Sequence, residues 1–332
     1  VCPYELTVAA CGVAMKGGCA LFCNTAVVSL SYNGNGWEAL SADGRAFGGR
    51  YVINCAGTHA DEVAKMAGDA RFSVRARRGE YYLLDREVSE LVRTTVFMAP
   101  TRMGKGVLVS PTAHGNVIVG PTAVDTDDRD DTATTAEGLA DVRRLAARSV
   151  RGVPFNRGIT CFAGLRAVGS TGDFIIDAPL PGFVNCAGIE SPGLSASPAI
   201  AEYVARLLAE ECGAELSPRA DFDGSYTPAV AFKSLPTKEK NEIIRRDPAY
   251  GRVVCRCETV TEGEIVAAIR QDPPARDLDA IKRRTRCGMG RCQGGFCTPY
   301  VTAILARELG ISELEVTKSG GSSPLLCGKT KS

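Results

Sequence analysis

Two pairs of cysteines in the last third of the chain carry the strongest chemical signal in the sequence. Cys255 and Cys257 are separated by one residue, and Cys292 and Cys297 are separated by four. Four thiolates that arrive as two close pairs can surround a single metal centre. Zinc and iron–sulfur centres both accept four thiolates, but this spacing departs from the usual Cys-x2-Cys units of zinc fingers and favours iron and sulfide.

The loop around the second pair is rich in glycine and in basic residues. Glycine lets such a loop fold tightly and turn backbone N–H groups toward sulfur. The glycines are Gly288, Gly290, Gly294 and Gly295. Basic side chains nearby are expected to offset the negative charge of a [2Fe-2S] centre, and the candidates are Lys282, Arg283, Arg284, Arg286 and Arg291. Cys287 is a fifth thiol, which we interpret as packing beside the centre.

The segments that contain these cysteines resemble a known iron–sulfur domain. Val254–Glu258 and Thr285–Cys297 are similar to the bacterioferritin-associated-ferredoxin-like [2Fe-2S] domain, which is appended to some flavin oxidoreductases. The resemblance covers residues 251–310 and implies a [2Fe-2S] cluster. The ligands that it implies are Cys255, Cys257, Cys292 and Cys297.

Three upstream segments resemble the D-amino-acid-oxidase-like superfamily of FAD-dependent oxidoreductases. They are Tyr51–Asp61, Ala163–Arg166 with Gly172–Ile176, and Phe183–Ser195. Their order and the appended domain are most similar to anaerobic-type glycerol-3-phosphate dehydrogenases, with L-2-hydroxyglutarate oxidases as close relatives. The resemblance implies FAD as cofactor. The FAD-binding residues at the matching positions are Cys55, Ala56, Gly57, Gly188, Ile189, Gly193, Leu194 and Ser195.

The residues themselves support a cofactor site more weakly. Gly57 and Gly188 each end a predicted strand where backbone can approach a cofactor. A helix predicted from about 192 to 211, with Ser191 as its N-cap, would present unpaired N–H groups and a partial positive charge, which stabilise an anionic reduced flavin. Arg166 lies between apolar residues and requires an anionic partner or water, so we expect its guanidinium to hold a substrate carboxylate or phosphate.

Hydride transfer from an alcohol carbon also needs a base for the hydroxyl proton. His114, in a predicted turn between two strands, is the candidate base. His59 begins a predicted helix and is interpreted as structural or close to FAD. Further weak candidates are Tyr81, Tyr82 and Lys105.

The predicted fold is α/β (α+β). A partial FAD-binding Rossmann-like domain is predicted over residues 1–71 and 151–212, and a substrate domain built on an antiparallel sheet over 72–150. A connector over 213–250 leads to a small, mainly helical [2Fe-2S] domain with a tail over 251–332. The amino-terminal Gly-x-Gly-x-x-Gly fingerprint of the superfamily is missing, so we expect a fragment of a longer enzyme, with weak or no FAD binding and no activity on its own.

Composition excludes several classes of protein. The 332 residues carry 39 basic and 38 acidic side chains, a balance that argues against a protein whose main task is to grip nucleic acid or an anionic membrane. No apolar run is long enough to span a bilayer. The 14 cysteines, without a signal peptide, favour thiols in a reducing cytoplasmic compartment.

The sequence therefore predicts a fragment of a flavin-dependent dehydrogenase. Its small anionic substrate would be a hydroxy acid or glycerol 3-phosphate, and electrons would pass from FAD through a [2Fe-2S] centre to an acceptor protein or a quinone-linked subunit. Two alternatives stay open. One is an amino-acid or amine dehydrogenase on the same fold, since Arg166 could equally hold a carboxylate, and the other is a non-catalytic zinc or iron–sulfur binding module.

Overall fold

The computed structural model describes residues 1–99, 106–328 and 330. The chain divides into two compact units. One consists of residues 25–219, and the other combines residues 1–24 with residues 220–332. Among the described residues, no helix is both long enough and apolar enough to cross a bilayer.

The described part of residues 25–219 contains strands in three sheets and three α-helices. The helices are α2 (Ala60–Ala67), α3 (Ala136–Ala146) and α4 (Gly193–Glu210). The first seven strands are β1 (Val27–Tyr32), β2 (Trp37–Ser41), β3 (Ala46–Gly49), β4 (Val52–Asn54), β5 (Val74–Leu84), β6 (Leu108–Pro111) and β7 (Val117–Gly120). The remaining strands are β8 (Val124–Thr126), β9 (Gly158–Gly169), β10 (Ile175–Leu180) and β11 (Phe183–Ala187).

The first sheet is an antiparallel meander of β1, β2 and β3. Its first turn follows the predicted Asn-Gly-Asn-Gly signal, because the side chain of Asn33 accepts the backbone N–H groups of Asn35 and Gly36, each at 3.0 Å. The sequence did not predict β3, since Gly48 and Gly49 lower strand propensity there. Pairing with β2 along its whole length overrides that preference.

The second sheet has the strand order β10–β11–β4 and supplies the parallel pair that the α/β prediction requires. Every residue of β11 is buried, as expected for a central strand covered on both faces. Asn54 and Asn185 lie opposite each other in the two parallel strands, and their side chains are joined by a hydrogen bond of 3.0 Å. This bond satisfies two buried amides and fixes the register of β4 against β11.

The third sheet is the predicted antiparallel sheet. β5 is its centre, pairing with β9 over its full length on one side and with β7 and β8 on the other. The sheet is larger than the predicted substrate region, because β9 lies beyond residue 150. The residue types at 94–98 also predict a strand, but that prediction is wrong, because Val96 alone pairs with Val109 as a single bridge.

The start of α3 depends on a buried carboxylate. Glu80 of β5 is fully buried and accepts hydrogen bonds from the backbone N–H and hydroxyl of Thr135, which in turn caps the helix at Gly138. A Cβ at position 138 would overlap the Glu80 carboxylate. The helix therefore requires glycine at its third position.

We expect Gly138→Ala to lower the free energy of unfolding by about 2 kcal/mol, despite the higher helix propensity of alanine, because overpacking outweighs it. Urea denaturation measures the change. Gly48→Ala is the matched control, since a Cβ there meets nothing within 4 Å. Equal stability of the two variants would contradict the packing described for Glu80.

The other unit is mainly helical, as predicted for its carboxyl-terminal part. Its elements are α1 (Pro3–Lys16), α5 (Thr237–Arg246), β12 (Val253–Cys255), β13 (Val260–Thr261), α6 (Glu262–Arg270), α7 (Leu278–Thr285) and α8 (Thr298–Leu309). Ile265, Ile281 and Leu305 form the centre of its core, each fully buried. Thr261 and Glu264 form a capping box that fixes the start of α6 directly after β13.

Residues 1–24 differ from the predicted domain boundaries. They group with residues 220–332 rather than with the rest of 1–71, because α1 packs against α7. Arg283 lies over the ring of Tyr4, 5.8 Å from its centroid, and Lys16 forms an ion pair with Asp223. The boundaries 1–71, 72–150, 151–212, 213–250 and 251–332 stay a prediction.

Candidate functional site

The carboxyl ends of β4 and β11 lie side by side. The two strands are parallel neighbours, so the turns that follow them open on the same edge of the sheet, where α/β folds bind their ligands. Both turns use a glycine with positive φ, +59° at Gly57 and +62° at Gly188. A Cβ at Gly188 would lie 3.1 Å from the Cα of Gly169, so the close approach of these backbones requires glycine.

The amino terminus of α4 completes this edge. The predicted N-cap, Ser191, is wrong, because Pro192 occupies the cap position and no side chain caps the helix. The N–H of Gly193 donates to the carbonyl of Glu190 at 2.6 Å, and a Cβ at Gly193 would overlap Ile189. The uncapped first turn therefore packs directly on the turn after β11, with its positive end at the same edge.

These turns and β9 enclose a cleft of about 730 Å³. The predicted FAD-binding residues on its wall are Cys55, Ala56, Gly57, Ile189, Gly193, Leu194 and Ser195. Gly188 shapes the turn before Ile189 without lining the cleft. Sequence reasoning missed six further residues of the wall, although five of them lie inside the motifs that resemble the flavin superfamily and the sixth lies directly beside one. They are Thr58, Leu165, Ala167, Glu190, Ser191 and Pro192.

Arg166, the predicted anion ligand, also lines the cleft. Its Nη2 donates to the backbone carbonyl of Thr122 at 2.6 Å, and no carboxylate among the described residues forms an ion pair with it. Arg77 lies directly opposite on β5 but is held by Asp125, with 2.7 Å between Nε and Oδ1. Of this pair of facing arginines, Arg166 is the one whose positive charge is available to an anion in the cleft.

The other catalytic candidates lie elsewhere. His114 lies in the turn between β6 and β7, close to the point where Val117 pairs with Leu84 near the end of β5. Arg166 of β9 pairs with Arg77, which lies much earlier in β5. Seven residues of strand separate those positions, about 23 Å at the usual rise. The structure does not bring His114 to the cleft, and its role as base stays a prediction without geometric support.

The two tyrosine candidates lie on opposite faces of β5. Tyr82 points into the core and accepts a hydrogen bond from Arg143 at 2.9 Å. Tyr81 shares the face of Arg166, where it stacks on Phe162 with 5.2 Å between ring centroids, and burial raises the pKa of its hydroxyl. Lys105 lies outside the described residues.

The thiol of Cys55 forms a hydrogen bond with the thiol of Cys186. Cys186 of β11 is buried and donates to the sulfur of Cys55, which lowers the pKa of Cys55 to about 7. The pair ties the turn after β4 to the adjacent strand and leaves partial thiolate character at the wall of the cleft.

His59, at the start of α2, lies between two carboxylates. Its Nδ1 lies 3.0 Å from Glu62 and its Nε2 lies 3.1 Å from Asp130. The hydrogen bonds to Glu62 and then to Asp130 raise the pKa of the imidazole above its ordinary 6.5. The cation is stabilised by folding, in agreement with the structural interpretation of this residue.

This pairing predicts a pH dependence. Because the folded pKa is raised, the contribution of His59 to stability is fully present below about pH 6.5 and is lost as pH rises through the folded pKa. We expect His59→Gln to be less stable than the unmodified protein at pH 6 and nearly equal to it at pH 8. Thermal unfolding at both values measures the difference, and a gap that widens at pH 8 would contradict the pairing.

The cysteine centre lies in the other unit. The turn after β12 carries Cys255 and Cys257, and the loop between α7 and α8 carries the rest. The sulfur atoms of Cys257 and Cys292 are 3.3 Å apart. Those of Cys255, Cys287 and Cys297 lie within 4.8 Å of one another. The structure thus groups all four predicted ligands into two neighbouring sets, and it adds Cys287 to one of them.

Backbone N–H groups point at these sulfurs, as the glycine-rich loop predicts. The Cys257 thiol and then the N–H groups of residues 294–296 lower the pKa of Cys292. The sulfur of Cys255 accepts N–H bonds from Gly288 and Glu258. A Cβ at Gly290 would lie 2.8 Å from the Cβ of Cys257, so glycine is needed for that approach. Thiolates surrounded by N–H donors fit an anionic iron–sulfur cluster.

Two of the five basic residues near the centre are paired with other groups. Arg286 forms a buried ion pair with Glu258 at 3.0 Å, which cancels its charge beside the centre. Arg284 donates to the carbonyls of Pro273 and Ala280, and burial lowers its pKa. Backbone N–H groups of Gly288 and Glu258 are donors at the sulfur of Cys255.

Two protein families match the chain. The family described as FAD dependent oxidoreductase matches residues 1–207, which contain the cleft. The family described as BFD-like [2Fe-2S] binding domain matches residues 253–307, which contain all five clustered cysteines. The two matches confirm the predicted resemblances and their order along the chain.

Individual relatives agree with these families. A glycerol 3-phosphate dehydrogenase of Caloramator mitchellensis is 44% identical over 332 residues, covering 99% of this chain and 69% of the relative. One of the subunits of the anaerobic glycerol-3-phosphate dehydrogenase of Escherichia coli is 25% identical over 81% of this chain and 54% of the relative.

A solved structure agrees as well. The dithionite-reduced L-alpha-glycerophosphate oxidase of Mycoplasma pneumoniae, with FAD bound, superposes with a TM-score of 0.60 at 31% identity. The superposition covers 64% of this chain and 56% of the oxidase chain. This chain therefore spans between about half and about two thirds of the length of these three proteins.

Proposed function

This chain belongs to the FAD dependent oxidoreductase family and carries a BFD-like [2Fe-2S] binding domain, and on that premise we propose that it is part of a glycerol 3-phosphate dehydrogenase. The guanidinium of Arg166, which lines the cleft and forms no ion pair with a carboxylate of the described residues, is the observation that carries the choice of an anionic substrate. The names of three relatives narrow the anion to glycerol 3-phosphate.

In this proposal, the cleft residues bind FAD and orient the substrate beside it. Bound FAD supplies the hydride acceptor for oxidation of the substrate's secondary alcohol. Gly57 and Gly193 keep the wall of the cleft free of side chains, so that backbone can approach a flat cofactor. The uncapped end of α4 places positive potential where negative charge develops on reduction. Arg166 binds the phosphate through a forked pair of hydrogen bonds and thereby fixes the distance of the carbinol from the cofactor.

The cysteine centre would hold a [2Fe-2S] cluster through Cys255, Cys257, Cys292 and Cys297. The donor set is all sulfur, and the N–H groups around Cys255 and Cys292 favour the thiolate state. A cluster of this kind carries single electrons, whereas the alcohol gives two. Such a centre explains why a flavin enzyme would carry a second domain.

The electron acceptor belongs to the same proposal. Cys257 is exposed while Cys255 and Cys297 are buried, so one side of the centre reaches the surface of its unit. The E. coli relative is named as one part of a larger enzyme, which supports either an acceptor protein or a quinone-linked subunit in the role of partner. We propose a cytoplasmic location, consistent with 14 cysteines in the thiol state.

Substrate profiling tests the proposal. The dehydrogenase of which this chain is proposed to be part, loaded with FAD and kept anaerobic, is mixed with glycerol 3-phosphate, L-2-hydroxyglutarate or glycine while flavin absorbance is recorded. We expect glycerol 3-phosphate alone to bleach the flavin rapidly. Bleaching by glycine but not by glycerol 3-phosphate would replace the proposal with the amino-acid dehydrogenase alternative, and zinc without sulfide in the protein would support the non-catalytic module.

A further inference from the structure

Five thiols, one more than a [2Fe-2S] cluster needs, converge at the cysteine centre. Cys257 and Cys292 form one set, with 3.3 Å between sulfurs, and three cysteines form the other, with all sulfurs within 4.8 Å of one another. These three are Cys255, Cys287 and Cys297. All three are buried, with relative exposures of 0%, 4% and 3% in that order.

Cluster geometry assigns one set to each iron. Each iron of a four-cysteine [2Fe-2S] cluster takes two thiolates and two sulfides in a tetrahedron. Two sulfurs on one tetrahedral metal are about 3.8 Å apart when each metal–sulfur bond is about 2.3 Å. The sulfurs of Cys257 and Cys292, 3.3 Å apart, need to separate by only about 0.5 Å to reach that distance and bind one iron. The set of three therefore offers three thiols for the two positions on the other iron.

Cys255 is the fixed member of the set of three. It is fully buried, and its sulfur accepts backbone N–H bonds from Glu258 and Gly288. The sulfurs of Cys287 and Cys297 both lie beside it, so either can complete the same iron with Cys255. The backbone of Cys287 is also held in place, because its N–H donates to the hydroxyl of Thr285 at 3.1 Å.

We propose that Cys287 is a reserve ligand of the cluster, which takes the position of Cys297 when that thiolate is lost. The inference rests on the iron–sulfur half of the proposed function. In the exchange one iron–sulfur bond to Cys297 breaks and one to Cys287 forms. The proton of the Cys287 thiol passes to the Cys297 thiolate, and no electron is gained or lost.

Ligand replacement tests the proposal. Cys287→Ala, Cys297→Ala, Cys297→Ser and the double variant Cys287→Ala/Cys297→Ala are purified anaerobically beside the unmodified protein. Iron and acid-labile sulfide are counted per chain, and the dithionite-reduced proteins are examined by electron paramagnetic resonance. Cys161→Ala/Cys297→Ala is the matched control, because it also lacks two cysteines but keeps Cys287.

We expect Cys287→Ala to keep the full cluster with an unchanged spectrum. Cys297→Ala and the control should keep most of the iron and sulfide, with a shifted spectrum because a different thiolate now binds. The double variant should lose both elements, and anaerobic reconstitution with iron and sulfide should rescue Cys297→Ala but not the double variant.

Two results would overturn the proposal. One is loss of the cluster in Cys297→Ala and Cys297→Ser as complete as in the double variant, before and after reconstitution. The other is loss of the cluster in Cys287→Ala alone, which would make Cys287 an obligatory ligand. Zinc or no metal in the unmodified protein would instead refute the iron–sulfur half of the proposed function, and the two failures are therefore distinguishable.

Discussion

Replacing Arg166 by lysine is expected to lower kcat/KM for glycerol 3-phosphate by about 10- to 100-fold, and replacing it by alanine by about 100-fold or more. The reason is geometric. A planar fork can donate two parallel hydrogen bonds to a phosphate, whereas an ammonium group donates as a point charge. Arg166 forms no ion pair with a carboxylate among the described residues, so its guanidinium can donate to an anion in the cleft. Steady-state kinetics of the FAD-loaded protein give the change.

The control for this prediction is Arg77→Lys. Arg77 faces Arg166 across β5 and β9 but is held by Asp125, so its replacement should change kcat/KM by less than about threefold. Arg166 also donates to the carbonyl of Thr122, and thermal unfolding of each variant separates a loss of binding from a loss of structure. Unchanged KM and kcat/KM in a folded Arg166→Lys protein would remove Arg166 from the substrate site.

Replacing Cys292 by alanine is expected to abolish the cluster. Cys292 and Cys257 form the set that we assign to one iron, and no other cysteine of the described chain belongs to that set. The reserve thiol Cys287 lies with the opposite set and cannot substitute. Iron and sulfide should fall to background, and electron delivery to a one-electron acceptor should stop, while glycerol 3-phosphate still bleaches the flavin.

Measuring flavin bleaching and electron delivery to the acceptor separately distinguishes a variant that has lost only the cluster from one that has lost its fold. Cys212→Ala, which removes a half-buried thiol outside the centre, serves as control and should keep both activities. A full complement of iron and sulfide in Cys292→Ala would contradict the ligand assignment. Loss of flavin bleaching together with the cluster would show that the variant had lost its fold.

Local signals predicted most of the fold. The turn between β1 and β2, the helix α8 and the antiparallel character of β5 each follow from residues close together in the chain. The four ligands were named from spacing and resemblance, and the structure groups them. These features depend on short-range chemistry, which a sequence shows directly.

The features that the sequence did not predict depend on contacts between residues far apart in the chain. The distance of His114 from Arg166 depends on the register of β5 against β7 and β9, which no local pattern contains. The addition of Cys287 to one set of thiols depends on how the loop closes around Gly288 and Gly290, which the spacing of the cysteines does not show. The uncapped start of α4 reflects packing of Gly193 on Ile189, which local capping preferences do not describe.

An anaerobic titration tests the central claim most directly, namely that a flavin site and a [2Fe-2S] centre in one enzyme form a single electron path. The FAD-loaded dehydrogenase of which this chain is proposed to be part, with iron and sulfide counted beforehand, is titrated with glycerol 3-phosphate, and samples are frozen for electron paramagnetic resonance. The account predicts that the signal of a reduced [2Fe-2S] cluster grows as flavin absorbance falls. A cluster that stays oxidised beside fully bleached flavin would contradict it.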